Sequence, residues 1–312
     1  MKKNPPLSVL NSTLYSLLFL LIISCSRNKQ RKNKLGNNAV VFVNGTLPKL
    51  ISRQFSFTEG PAVDSQGNIF FTDQPNDQIW KYSTSGVLTI FSSHSGRANG
   101  LYIDKAGNIV ACADEKGELI SFSQDGKMNV LLKVPKGNRL NGPNDLWIDA
   151  KGGIYFTDPY YERAYWKNPK PVKQKENVYY LPSGSNEPLI LAEDLVKPNG
   201  IVGTPDGKNL YIADIGDNKT YKYEIRSDGH IANKKKFISM GGDGITLDKN
   251  GNLYLAGNGV TIFDPYGNKI AQIPIKEDWT GNVCFGGKDK KTLFITASGG
   301  IYTMQMLVCG VE

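Results

Sequence analysis

The chain repeats itself about every 40 residues, and self-similarity at such a period points to a propeller or a solenoid before any single motif is considered. One unit reads Glu59-Gly-Pro-Ala-Val-Asp64 and then Ser-Gln-Gly-Asn-Ile-Phe-Phe-Thr-Asp73; the next reads Asn99-Gly-Leu-Tyr-Ile-Asp104 and then Lys-Ala-Gly-Asn-Ile-Val-Ala-Cys-Ala-Asp114. Further units run from Asn144 to Asp158, Asn199 to Asp214, Asp243 to Gly257 and Asn282 to Ala297. Each is a pair of β-branched and aromatic runs joined by a turn such as Asp64-Ser-Gln-Gly67-Asn, the composition of a tight hairpin. Two more strand-like runs follow, as in Gln78–Tyr82 and Val87–Phe91, which makes four strands per unit. The spacing predicts an all-β, six-bladed propeller of antiparallel four-stranded blades. The sixth unit runs short of chain, so Pro48–Phe55 is expected to supply its outer strand and close the ring.

The residues that open the innermost strands are Glu59, Asn99, Asn144, Asn199, Asp243 and Asn282. All carry a side-chain oxygen, and equivalent positions in six blades surround the axis, so these oxygens converge despite their distance in sequence. Asn-Gly and Asp-Gly also mark ordinary turns; six in register, with Glu59 replacing Asn, favour a site. Carboxylates and amides without His or Cys make a hard oxygen cage, which suits Ca²⁺ better than Zn²⁺.

Glu59-Gly-Pro, Arg139-Leu-Asn-Gly-Pro-Asn144-Asp-Leu, Tyr155-Phe-Thr-Asp158-Pro, Pro198-Asn199-Gly-Ile, Asp243-Gly-Ile and Asn282-Val-Cys-Phe-Gly-Gly together resemble the senescence marker protein (regucalcin), gluconolactonase and luciferin-regenerating enzyme family. That family is related to diisopropyl fluorophosphatase and, more distantly, to paraoxonases. The resemblance spans residues 45–306. It implies a catalytic Ca²⁺, other divalent ions being admissible, held by Glu59, Asn144, Asn199 and Asp243, with Asn99 and Asn282 beside it as substrate contacts. It further implies a Ca²⁺-dependent hydrolase, a lactonase of the gluconolactonase type, that polarises a lactone carbonyl. Asp243 is then the catalytic carboxylate, either deprotonating water or attacking directly. Two alternatives stand beside this: a phosphotriesterase on the same ion, and a non-catalytic, surface-tethered binding propeller. A strictosidine-synthase-like site has no need of this cage.

Substrate contacts are expected from loops on the face where the ring lies. The largest insertion, Pro159–Asn177, carries Tyr160, Tyr161, Tyr165 and Trp166 with Lys167, Lys170, Lys173 and Lys175, and its position predicts a lid. Arg97 and Arg139 are further loop cations for substrate, while Asp158 and Asp73 can order water or substrate. Of the two histidines, His230 falls in a turn on the opposite face and His94 in a loop on the ring face, so no His–His pair is available.

Residues 1–24, with Lys2 and Lys3 before the apolar run Leu14–Ile23, read as a signal peptide. Ile22-Ile23-Ser24-Cys25 resembles a bacterial lipobox, which would make Cys25 a lipidation site and residues 25–44 a basic tether before a propeller at 45–312. The expected location is the bacterial cell envelope, with the exported chain anchored to a membrane through lipid. The net charge of +8 does not indicate nucleic acid: Lys2 and Lys3 supply two charges and Arg27, Lys29, Arg31, Lys32 and Lys34 five, leaving +1 on the rest. The partner expected is a small-molecule substrate, with the chain a monomer. Cys112, Cys284 and Cys309 have no framework spacing, and the first two read as small buried hydrophobes.

Overall fold

The computed structural model describes residues 40–133, 139–166 and 172–311. Among these, six four-stranded antiparallel sheets follow one another along the chain, each running from an innermost to an outermost strand. The first blade comprises Thr58–Val63, Ile69–Asp73, Gln78–Tyr82 and Leu88–Ser92, and the second begins at Ala98–Ile103. The last has Thr280–Gly286 innermost, then Thr292–Ala297 and Gly300–Gln305, and its fourth strand is Lys49–Ser52 from the start of the fold. Lys49 pairs with Thr303 and Leu50 with Tyr302, the closure expected of Pro48–Phe55.

Every innermost strand packs against those of both neighbours, and the sixth packs against the first, so the ring is closed. The blades are held by apolar side chains between them. Phe71 of the first blade meets Phe294 of the sixth at 5.5 Å and Phe55 edge-on at 5.2 Å. Cys112 and Cys284 are buried in these layers, and the three described cysteines form no disulfide with one another.

Near the axis the strands approach so closely that side chains must be absent. A Cβ on Gly60 would collide with the carbonyl oxygen of Asn99, and one on Gly200 with that of Asp243. Gly200 N–H instead donates to Asp243 O at 3.0 Å, and Gly100 N–H to Asn144 O at 2.7 Å. Thr72 and Thr157 hydroxyls bond the backbone carbonyls of Asn99 and Asn199 in the next blade, at 3.0 and 2.7 Å. These cross-blade bonds fix the backbone from which the ring side chains project.

The turns between first and second strands spend their acids locally. Asp64 accepts from the N–H groups of Gln66 and Asn68 and from the Asn68 amide, and Asp248 repeats this with Asn250 and Asn252. Asp248 is fully buried and also accepts from Tyr254 Oη at 3.0 Å.

Candidate metal and active site

A cavity of about 280 Å³ opens at the axis, lined by Glu59, Asn99, Asn144, Asn199 and Asp243 from five different blades. Three larger surface hollows, one of about 560 Å³ and two of about 390 Å³, contain none of these residues. The axial cavity is the chemically specific one. Asn282, the sixth ring residue, stands behind Glu59: its Nδ2 lies 3.3 Å from Glu59 Oε2 and 3.5 Å from Asp145 Oδ2, while its Oδ1 accepts from Val283 N–H.

The electrostatics are those of acids crowded out of water. Burial, then the neighbouring Asp243, pushes the Glu59 carboxyl well above the usual range, against the Gly60 N–H that donates to it at 2.6 Å. Burial raises Asp243 to about 6, although Trp279 Nε1 donates to its Oδ2 at 2.6 Å. Burial raises Asp145 to about 7. Asn99 Oδ1 is buried with no hydrogen-bond partner among the described residues, and Asn199 donates through Nδ2 to Tyr161 Oη at 3.1 Å.

Among the described residues no three His, Cys, Asp or Glu side chains form a metal-holding group. An ion in this cavity would therefore depend on amide oxygens as well as carboxylates. The donors present fit a hard cation: two carboxylates whose ionised forms are disfavoured by burial, amide oxygens with free capacity, and no lining nitrogen or sulfur base.

The lid expected of the insertion is present in its described part. Tyr161 and Arg163 line the cavity, and Arg163 Nε donates to Asp114 Oδ2 at 2.6 Å, where Tyr165 Oη also donates at 3.0 Å. Lys173 pairs with Glu176 at 2.6 Å and Lys175 with Glu193 at 3.1 Å; Lys167 and Lys170 lie outside the described residues, as do the leader and Cys25.

Arg97, Arg139 and Asp158 have different work from the substrate contact expected of them. Arg97 donates to the Pro75 carbonyl and covers the Tyr165 ring at 4.8 Å; Arg139 donates to Asp114 O at 2.7 Å and covers Trp166 at 5.1 Å. Both support the insertion from outside the cavity. Asp158 is fully buried, accepting from the N–H groups of Asn141 and Gly142 at 2.9 and 2.8 Å. Asp73 does the same for Ser56 and Phe57, and Asp214 for Val196 and Lys197. Asp114 occupies the equivalent place in the second blade, but there Asp77 has already taken the N–H groups of Ser95 and Arg97. Asp114 is thereby released to hold the insertion. His94 is 95% exposed and 3.7 Å from Asp77, and His230 pairs with Asp228 in its turn, so neither reaches the cavity.

Sequence reasoning passed over Arg163, Trp279 and Asp145. Asp145 carried a signal, because Gly60, Gly100, Gly200 and Gly244 occupy its place in four other blades. Trp279 and Arg163 carried none, since neither belongs to the repeat.

Residues 57–299 match the family model described as SMP-30/Gluconolactonase/LRE-like region. A gluconolactonase of Zymomonas mobilis is 27% identical over 292 residues, covering 84% of this chain and 82% of that protein. A lactonase of Staphylococcus aureus is 27% identical over 241 residues, 72% of each chain. The solved structure of a gluconolactonase from Xanthomonas campestris superposes with a TM-score of 0.78 at 25% identity, covering 85% of this chain and 91% of that one.

Proposed function

The chain belongs to the SMP-30/gluconolactonase/LRE-like family, and from that premise we propose that it is a Ca²⁺-dependent hydrolase of lactones. The observation that carries the reading is the convergence of Glu59 and Asp243, from the first and fifth blades, with three amide side chains on one small cavity. Glu59, Asn144, Asn199 and Asp243 would hold the ion, which when bound supplies Lewis-acid polarisation of the carbonyl and stabilises the oxyanion that develops there.

The chain's own groups do the rest. Burial raises the Asp243 carboxyl, and a cation bound beside it would favour its ionised form. Its Oδ2 is held by Trp279, so the carboxylate is oriented to take a proton from the attacking water or to attack directly. Burial pushes the Tyr161 phenol up, so it stays protonated and can donate to a substrate oxygen. Asn99, whose Oδ1 has no partner among the described residues, and Asn282, which braces Glu59, stand as polar contacts at the cavity and behind it.

Lactones and organophosphates assayed with purified protein, with and without chelator, test this reading. Lactone turnover that disappears on chelation and returns with Ca²⁺ supports it. Turnover indifferent to chelation contradicts the metal's role, activity confined to organophosphates selects the phosphotriesterase, and activity on neither leaves a binding propeller. We further propose that the chain acts as a monomer, exported and tethered to the cell envelope through Cys25; substitution of Cys25→Ala should move it from the detergent phase to the aqueous phase.

A further inference from the structure

The floor of the cavity is acidic and its roof is not. Arg163 is the lining residue that carries positive charge, and of its three guanidinium nitrogens only Nε is engaged by an acceptor among the described residues. The guanidinium stands 5.3 Å from the Tyr161 ring centre, and Lys197 Nζ approaches the same ring at 4.5 Å. Its stem is not free to swing away: Asp114 binds Nε, and Tyr165 on the same short segment is tied to the same carboxylate and covered by Arg97. A guanidinium fixed on one edge presents its other edge as a planar donor pair, the geometry that recognises a carboxylate.

We propose that Arg163 determines specificity, selecting lactones that bear a carboxylate at the end of the molecule remote from the reacting carbonyl. The inference rests on the lactonase reading above. A substrate with its carbonyl at the ring of oxygens directs its far end to the roof, where a neutral hydroxyl gains one ordinary hydrogen bond and a carboxylate gains a charge-assisted pair. An anion approaching Glu59 and Asp243 without such a partner would be repelled. The cavity, at about 280 Å³, lies at the small end of ligand sites and suits a single sugar-sized ring. Phosphate is the poorer fit, because it brings up to about two charges to a guanidinium already partly spent on Asp114.

Steady-state kinetics on glucono-1,5-lactone and on its 6-carboxylate counterpart, glucaro-1,5-lactone, test the proposal in wild type, Arg163→Gln and Arg163→Lys. The wild type should favour the carboxylated lactone in kcat/KM. Arg163→Gln should cut the ratio of the two kcat/KM values by about 10- to 100-fold, chiefly through KM of the carboxylated substrate. Arg163→Lys should keep part of the preference, and added salt should erode it. Wild-type turnover of both lactones without preference, or an Arg163→Gln loss that is equal for both, overturns the proposal while leaving the lactonase reading intact. Turnover of neither lactone removes both.

Discussion

Asp158 and Asp114 close equivalent strands in neighbouring blades, yet one holds its own loop and the other holds a lid. The difference is made by Asp77, which satisfies the loop before the second blade and leaves Asp114 without backbone to clamp. The same division runs through the molecule. Asp64 and Asp248 are satisfied by donors two to six residues away, whereas Glu59 and Asp243 come from separate blades to crowd one cavity. An acid whose partners lie in its own turn stabilises the fold. One whose partners must come from elsewhere is available for chemistry, and burial raises its free energy until a cation or substrate compensates it.

The strongest way to break this division is to remove one acid of each kind. Asp243→Ala should lower lactone turnover by at least about 100-fold, with the thermal midpoint of the metal-free protein unchanged or raised, because a crowded buried charge has gone. Asp248→Ala should do the reverse. It leaves several buried donors unsatisfied, so denaturant titration should show a loss of about 2 kcal/mol while kcat of the folded fraction persists. A similar loss of stability in both variants would erase the distinction.

A subtler contrast uses the two equivalent aspartates. Asp114→Asn should loosen the insertion, raising KM about tenfold and exposing the segment around Tyr165 to protease with little change in thermal midpoint. Asp158→Asn should lower the midpoint and leave KM nearly alone.

The six blades were legible because every unit repeats the same turn chemistry and strand alternation, and a repeat states its own register. The ring was legible for the same reason: Glu59, Asn99, Asn144, Asn199, Asp243 and Asn282 hold one place in six copies. What lies outside the repeat was not. Arg163 reaches the cavity only because Asp114 is free, and Asp114 is free only because Asp77, a residue of the preceding blade, has captured Ser95 and Arg97. Arg97 and Arg139 sit on the expected face but turn to aromatic rings of the insertion, a choice made by packing and not by position in a motif.

The smallest effect concerns pH. Asp145, held at about 7 against an ordinary 3.8, contributes stability that is complete below pH 4 and is lost as pH rises toward 7, because the unfolded chain ionises first. Thermal midpoints of chelated protein should therefore fall across that window and level off above it. Asp145→Asn should flatten the slope by roughly a few degrees.

In the function proposed, oxygens from separate blades jointly hold one ion on which turnover depends. Calorimetric titration of chelated protein with Ca²⁺, followed by a lactone assay at each point, tests it directly. One ion per chain is expected in the wild type, with turnover rising in step with occupancy, and both lost in Glu59→Gln while the fold persists. Full turnover before any ion binds, or unaltered Ca²⁺ binding in Glu59→Gln, would contradict it.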